Sequence, residues 1–146
     1  MEAPLRVAVR VRPRLRRDGQ ATGNETTADG KHDVVVNGQP EPFKFSQTLG
    51  PEATQHAVYS QCAAPQVASV LDGLDACIFA FGQTGAGKTY SMLGPEGGHS
   101  AAAQDGMVPL AAAELFRAVA RLEAEDATCQ HRLSATYVEI HREGVF

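Results

Sequence analysis

The stretch Gly82-Gln83-Thr84-Gly85-Ala86-Gly87-Lys88-Thr89 decides the fold of this chain. It fits the phosphate-binding loop pattern G-x-x-x-x-G-K-[ST] at every required position. Its glycines let the backbone fold around an anion with the N–H groups pointing inward, including at torsion angles that a side chain resists. The pattern therefore predicts that residues 82–89 bind the phosphates of a nucleoside triphosphate. The alternative is a glycine-rich turn that matches the pattern by chance.

Two side chains at the end of this loop suit the chemistry of a triphosphate. Lys88 supplies a compact positive charge for the β and γ phosphates. The Thr89 hydroxyl can ligate the Mg²⁺ that accompanies the nucleotide. We therefore expect a nucleotide and a magnesium ion as cofactors, with Thr89 as the magnesium ligand.

The segments on either side of the loop favour phosphate binding over a chance match. Residues 76–81 are an unbroken apolar run, of the length expected for a parallel strand that is covered on both faces. Residues 88–93 contain no helix-breaking residue before Gly94-Pro95, which suits a short helix. A strand, a loop and a helix in this order predict an α/β fold of the P-loop NTPase class.

Alternating apolar residues predict three more strands in the first third of the chain. Residues 7–11 place valines on one face and Arg10 and Arg12 on the other, as in a strand. The six arginines among the first seventeen residues could instead form a basic arm, but the alternation favours the strand. Shorter strands are expected at residues 33–38, where the strand runs into a turn, and at residues 43–45.

Two longer segments have the spacing of helices. Residues 52–71 and 108–125 carry apolar side chains at helical intervals. Proline removes a backbone donor and clashes with the preceding turn, so we expect a kink or a brief break at Pro65. We expect the apolar face of the second helix, which includes Leu115 and Phe116, to pack in the core.

A loop and a last strand complete the predicted elements. Residues 94–106 are small, polar and rich in glycine, which predicts a loop near the nucleotide site. Residues 133–140 are expected to form a strand that packs through Tyr137, Val138 and Ile140.

The composition is that of one modest globular domain. The chain has 146 residues, 43% of them hydrophobic, and a net charge of −4, which argues against a nucleic-acid partner. No apolar run approaches the roughly 18 residues that span a bilayer, and no signal peptide is recognisable, so we expect no membrane insertion. The three cysteines are too widely spaced to indicate a disulfide framework or a zinc site, which fits a reducing cytosol.

Several segments together resemble the start of a kinesin motor domain. The first, Arg10-Val11-Arg12-Pro13, is similar to the family's R-x-R-P motif. The others are Phe43-Lys44-Phe45 followed by the Q-x-x-x-Y pattern at residues 55–59, the block at residues 70–92, Gly106-Met107-Val108-Pro109 with Leu115-Phe116, and Tyr137-Val138-Glu139-Ile140-His141-Arg142-Glu143. Their order and spacing agree along the whole chain. The resemblance implies a mixed β-sheet flanked by helices, belonging to an incomplete motor domain.

The resemblance also implies which nucleotide is bound. The nucleotide would be ATP, and Arg10, Pro13 and Tyr90 would sandwich its adenine ring with a guanidinium, a flat pyrrolidine ring and an aromatic face. Without the resemblance, Arg10 and Arg12 would be interpreted as a solvated strand face. The expected nucleotide-binding set is Gly82, Gln83, Thr84, Gly85, Ala86, Gly87, Lys88, Thr89, Tyr90, Arg10 and Pro13.

Residues 1–146 would correspond to the N-terminal part of such a domain. The family's N-x-x-S-S-R and D-L-A-G-S-E switch motifs, tubulin-binding elements and neck linker are expected outside this chain, so no catalytic residue is expected within it. The family's sheet has strands from that outside part on both sides of residues 76–81. We therefore expect this strand to leave unpaired backbone edges and apolar faces exposed.

Two functions remain open from the sequence. The first is an ATP-dependent microtubule motor of the cytoplasm and cytoskeleton, whose complete protein would be a microtubule-stimulated ATPase. Microtubules would be bound by elements outside this chain, and a downstream coiled coil could join two copies. The second is a truncated, non-hydrolysing kinesin-like protein that binds a nucleotide or a partner.

Overall fold

Seven short strands form three small sheets in the computed structural model, which describes residues 5–14, 26–95, 104–141 and 144–145. The first sheet pairs β1 (Ala8–Arg10) in parallel with β5 (Gln47–Leu49). The second is antiparallel and contains β2 (Thr26–Ala28), β3 (Asp33–Val36) and β4 (Phe43–Lys44) in that order. The third pairs β6 (Ile140–His141) antiparallel with β7 (Gly144–Val145). The strands predicted within residues 7–11, 33–38 and 43–45 are therefore confirmed.

The apolar segment at residues 76–81 does not form the predicted buried strand. It belongs to none of the three sheets in the described part of the chain. Phe79 and Phe81 are 74% and 94% exposed, whereas Ile78 packs against the core. An extended segment becomes a strand only when a neighbour satisfies its backbone hydrogen bonds, and none of the described strands pairs with it. The prediction of a buried strand is wrong, and the expected exposure of apolar side chains is confirmed.

The predicted last strand is also much shorter than expected. Within residues 133–140, β6 begins at Ile140, so the strand predicted over the rest of the segment is wrong. Tyr137, Val138 and Ile140 are exposed rather than packed. The physical reason is the same, since β-branched and aromatic residues favour a strand only where a neighbouring strand and a covering layer are present.

The first predicted helix is divided in two. Thr54 caps α1 (Gln55–Val58), because its hydroxyl accepts a hydrogen bond from the Ala57 N–H at 3.1 Å. Five residues with π-helical hydrogen bonding, Tyr59–Ala63, then lead into α2 (Ala64–Leu71). Pro65 lies in the first turn of α2, where a missing N–H costs no helical hydrogen bond. The interruption expected at Pro65 lies instead at this π-helical turn, which ends two residues before the proline, and α2 runs through Pro65 unbroken.

The other two helices lie where the sequence predicts them. α3 (Lys88–Leu93) follows the phosphate-loop pattern directly, and α4 (Met107–Glu125) starts one residue before the predicted position. The apolar face of α4 is only partly in the core, however. Leu115 is half-buried and Phe116 is 64% exposed, so the expected burial of Phe116 is wrong. Its neighbour Ala118 is the residue that packs inward instead.

The core lies between the end of β5, the helical segment from α1 to α2, and the start of α4. Its buried members are Leu49, Val58, Tyr59, Ala63 and Met107. Met92 of α3 packs against this cluster from the side of the loop. The core therefore anchors the helix that follows the phosphate-loop pattern. Among the described residues, no helix is long and apolar enough to cross a membrane.

Candidate functional site

The phosphate-loop pattern forms a turn in which all three glycines, Gly82, Gly85 and Gly87, have positive φ. Gly85 has φ 81° and Gly87 has φ 97°, conformations that cost other residues about 1–2 kcal/mol. The Ala86 N–H donates to the Gln83 carbonyl at 3.1 Å, and α3 begins immediately after Gly87. The backbone path of the turn thus accounts for the glycines of the pattern.

The Lys88 ammonium lies over the loop. It donates to the Gly82 carbonyl at 2.8 Å and to the Gln83 carbonyl at 3.0 Å. These two carbonyls belong to the first two residues of the pattern, so the side chain of Lys88 reaches back across the whole turn. An ammonium held there is placed to contact an anion enclosed by the loop.

Thr89 is exposed at the start of α3. Among the described residues, no three His, Cys, Asp or Glu side chains are grouped to hold a metal ion. Mg²⁺ in nucleotide sites keeps several waters and takes one or two protein oxygens together with phosphate oxygens. An accessible hydroxyl beside the loop is a ligand of that type, so the residues present fit a magnesium ion that arrives with a nucleotide.

Arg10 lies at the centre of a polar cluster beside α3. Its Nη1 donates to Gln55 Oε1 at 2.6 Å and to Ser91 Oγ at 2.9 Å, and its Nη2 donates to the Ala53 carbonyl at 3.2 Å. Its Cζ lies 5.4 Å from the centroid of the Tyr90 ring. Partial burial lowers the pKa of Arg10, and Tyr90 opposes this shift. The structure thus brings Arg10 and Tyr90 together, and the parts they play toward a nucleotide remain predictions.

The Arg10 to Tyr90 distance bears on the predicted adenine sandwich. A flat ring between a guanidinium and an aromatic face needs about 7 Å, twice the roughly 3.5 Å of ordinary carbon contact. The observed 5.4 Å is too short for that arrangement. A base that contacts both groups must therefore separate them or lie against the surface that they form together.

Gln55 is a site residue that the sequence analysis did not assign. Its side chain is only 4% exposed, and its Nε2 donates to the Tyr90 carbonyl at 2.6 Å and to the Gln104 carbonyl at 3.4 Å. The pattern Q-x-x-x-Y at residues 55–59 already marked this position. What the pattern could not indicate is which groups the amide contacts.

The end of the first strand lies beside the phosphate loop. A Cβ placed on Gly87 would be 4.0 Å from Arg12 Cδ, so the aliphatic part of Arg12 lies next to the loop. Arg12 Nη1 donates to the carbonyl of Pro13 at 3.3 Å, and Pro13 is exposed. The alternation of residues 7–11 predicted that Arg10 and Arg12 share a face, which is how Arg12 could have been added to the candidate set.

Proteins of one family resemble this chain in sequence. The family profile described as "Kinesin motor domain" matches residues 10–146. The Mus musculus kinesin-like protein KIF27 is 33% identical over 146 residues, which cover 97% of this chain and 10% of that protein. The Arabidopsis thaliana kinesin-like protein KIN-14C is 36% identical over 154 residues, covering 99% of this chain and 18% of that protein. This chain is thus much shorter than either relative.

Solved structures of the Drosophila kinesin NOD resemble this fold. Kin10/NOD in complex with divalent manganese and ADP aligns with a TM-score of 0.67 and 28% identity, over 84% of this chain and 40% of that one. NOD docked with bovine tubulin into a map of the nucleotide-free NOD–microtubule complex aligns with a TM-score of 0.68 and 26% identity, over the same shares. The α/β fold predicted from the sequence is confirmed by these neighbours.

Proposed function

Since this chain belongs to the kinesin motor-domain family, we propose that residues 82–89 bind ATP together with Mg²⁺, as the nucleotide-binding part of an ATP-dependent microtubule motor. We further propose that residues 1–146 are the N-terminal part of the motor domain. The main support for this proposal is the position of the Lys88 ammonium. It lies over a turn in which Gly85 and Gly87 have left-handed backbone conformations. The manganese and ADP in the related NOD structure support a nucleotide and a divalent ion as ligands.

Each group of the loop has a defined part in this proposal. The N–H groups around Gly85 and Gly87 enclose the phosphates, and Lys88 exchanges its contacts with the two loop carbonyls for phosphate oxygens. Thr89 holds Mg²⁺, which neutralises phosphate charge when it is bound. Hydrolysis requires groups outside this part of the domain, so we assign no catalytic residue here.

In our proposal the adenine ring lies against the surface that Arg10 and Tyr90 form together, and the exposed Pro13, three residues after Arg10, contacts the same ring. The Arg10 guanidinium is held by three hydrogen bonds and is already in contact with the Tyr90 ring. An adenine ring that stacks beside Arg10 and Tyr90 leaves those contacts intact, whereas a ring between them would have to separate the two side chains. Base binding of this kind depends on shape and stacking more than on hydrogen bonds to the edges of the base.

The microtubule is the proposed partner, bound through elements outside residues 1–146. Support comes from NOD, whose related structure is described in complex with the microtubule. This partner would place the protein at the cytoskeleton in the cytoplasm, and a coiled coil further along the polypeptide could join two copies.

The experiment is calorimetric titration of the protein with ATP in the presence of Mg²⁺. Lys88→Ala is expected to weaken ATP binding at least tenfold, since charge-assisted hydrogen bonds to phosphate are lost. Lys44→Ala is the matched control, because Lys44 is an exposed lysine of β4. Equal ATP affinities of wild type and Lys88→Ala would refute the proposed site.

A further inference from the structure

We propose that Gln55 is a positioning residue for nucleotide binding, which fixes Arg10 and Tyr90 and thereby sets the affinity for the base. This inference rests on the proposed function, because it assumes that the base lies at Arg10 and Tyr90. It goes further by assigning a buried side chain of a different helix to base recognition. It also predicts that phosphate binding is independent of this residue.

The Gln55 amide is held in one orientation by partners of opposite character. Its Oε1 accepts from the Arg10 guanidinium at 2.6 Å, and its Nε2 donates to the Tyr90 carbonyl at 2.6 Å. A flipped amide would set donor against donor at Arg10 and acceptor against acceptor at Tyr90. With only 4% of the residue exposed, solvent cannot replace these bonds. One amide therefore links β1 to α3.

Gln55 is itself held by the fold. It is the first residue of α1, directly after the Thr54 cap, and it precedes the buried pair Val58 and Tyr59 of the core. The position of its side chain is therefore set by the packing of α1. The same amide also donates to the Gln104 carbonyl at 3.4 Å, next to the start of α4. The position of α1 therefore determines where Gln55 holds Arg10 and Tyr90.

The phosphate side of the site has separate supports. Lys88 is anchored on the carbonyls of Gly82 and Gln83, and neither contact involves Gln55. Loss of the Gln55 amide should therefore loosen the Arg10 guanidinium, which keeps its bonds to Ser91 and the Ala53 carbonyl, and remove one donor from the Tyr90 carbonyl. The two contacts of the Lys88 ammonium should stay unchanged. A substitution of Gln55 should therefore weaken the binding of a ligand that carries a base more than the binding of a ligand with phosphates alone.

The test compares ATP with inorganic tripolyphosphate, each titrated calorimetrically with Mg²⁺ into the purified protein. Gln55→Met has similar length without polar atoms, and it is expected to weaken ATP binding about tenfold while tripolyphosphate binding stays within about twofold. Gln55→Glu keeps an acceptor for Arg10 but sets an oxygen against the Tyr90 carbonyl, so its ATP affinity should be intermediate. Gln61→Met, at an exposed glutamine of the π-helical segment, should change neither affinity.

The outcomes separate this inference from the proposed function. Equal losses for ATP and tripolyphosphate would show that Gln55 has only a structural role, and unchanged ATP affinity in a folded Gln55→Met protein would overturn the inference as well. If circular dichroism shows that Gln55→Met is unfolded, the ratio of the two affinities in Gln55→Glu decides in the same way. A wild type that binds neither compound would refute the proposed function, and this inference with it. Loss of both affinities in Lys88→Ala, with selective loss in Gln55→Met, would support both.

Discussion

Replacing Gly106 with alanine should destabilise the protein more than an ordinary glycine substitution. Gly106 precedes α4 with φ −76° and ψ −178°, an extended conformation that any residue adopts. The difficulty is space, because a Cβ there would lie 2.5 Å from Leu93 N and from the carbonyl atoms of Met92. Contacts between nonbonded heavy atoms are comfortable near 3.5–4.0 Å, so α3 and α4 must separate by about 1 Å. All the crowded atoms are backbone and cannot rotate away.

The expected magnitude follows from this geometry. Overpacking of a well-packed site costs about 1–3 kcal/mol. Because the clashing atoms here are all backbone, we expect Gly106→Ala to cost about 3 kcal/mol, at the upper end of this range. Gly73→Ala is the matched control, since Gly73 has φ 85° with nothing within 4 Å of an added Cβ. That substitution should cost about 1–2 kcal/mol, from the left-handed backbone alone. Because α3 carries Lys88 and Tyr90, Gly106→Ala should also weaken ATP binding.

The assay is urea unfolding followed by far-ultraviolet circular dichroism. With a denaturant dependence of about 1–3 kcal/mol per molar urea, a loss of about 3 kcal/mol lowers the midpoint by about 1 M or more. The midpoint of Gly106→Ala should lie clearly below that of Gly73→Ala. A Gly106→Ala midpoint equal to or above that of Gly73→Ala would refute the close approach of α3 and α4.

Three further predictions concern stability and surface. Asp29 accepts hydrogen bonds from three backbone N–H groups and a hydroxyl, which hold its pKa at about 2. Its contribution to the free energy of unfolding should therefore be complete above about pH 5, and the urea midpoints of wild type and Asp29→Ala should converge as the pH falls from about 5 toward 2. Burial and the hydrogen bond to Glu114 raise the pKa of Tyr59. Tyr59→Phe should therefore lower the free energy of unfolding by about 1.5 kcal/mol at pH 7. This difference between wild type and variant should become smaller above about pH 10, where the tyrosine of the unfolded chain ionises. A difference that does not change with pH would contradict the prediction. Phe79 and Phe81 are exposed, so a double variant in which both are replaced by serine should bind less of a hydrophobic dye. Its free energy of unfolding should change by less than about 0.5 kcal/mol. Undiminished dye binding would argue against this exposed surface.

The sequence predicted the turn at residues 82–89 and α3 well because both depend on local requirements. Gly85 and Gly87 are needed for left-handed torsions, and a run without breakers permits the helix that starts at Lys88. The Thr54 cap and the proline in the first turn of α2 act within a few residues as well. Such features are encoded over short distances and can be recognised without knowing the neighbours in space.

Features that depend on distant partners could not be predicted in the same way. The apolar run at residues 76–81 shows that a segment can be buried in a sheet, but not that a pairing strand is present. The face of α4 was predicted as core, yet Phe116 points to solvent, because helical spacing defines a face without defining what covers it. The contacts of Gln55 with Arg10 and Tyr90 span 45 and 35 residues, and no local pattern specifies them.

The central claim is that the loop at residues 82–89 binds the nucleotide. Two-dimensional amide NMR of the ¹⁵N-labelled protein, titrated with ATP and Mg²⁺, tests it residue by residue. We predict the largest shifts at the amides of Gly85, Gly87 and Lys88, with smaller shifts at Tyr90 and none at Gly30, between β2 and β3. Unchanged amides throughout residues 82–89 at saturating ATP, with shifts elsewhere in the chain, would contradict the account.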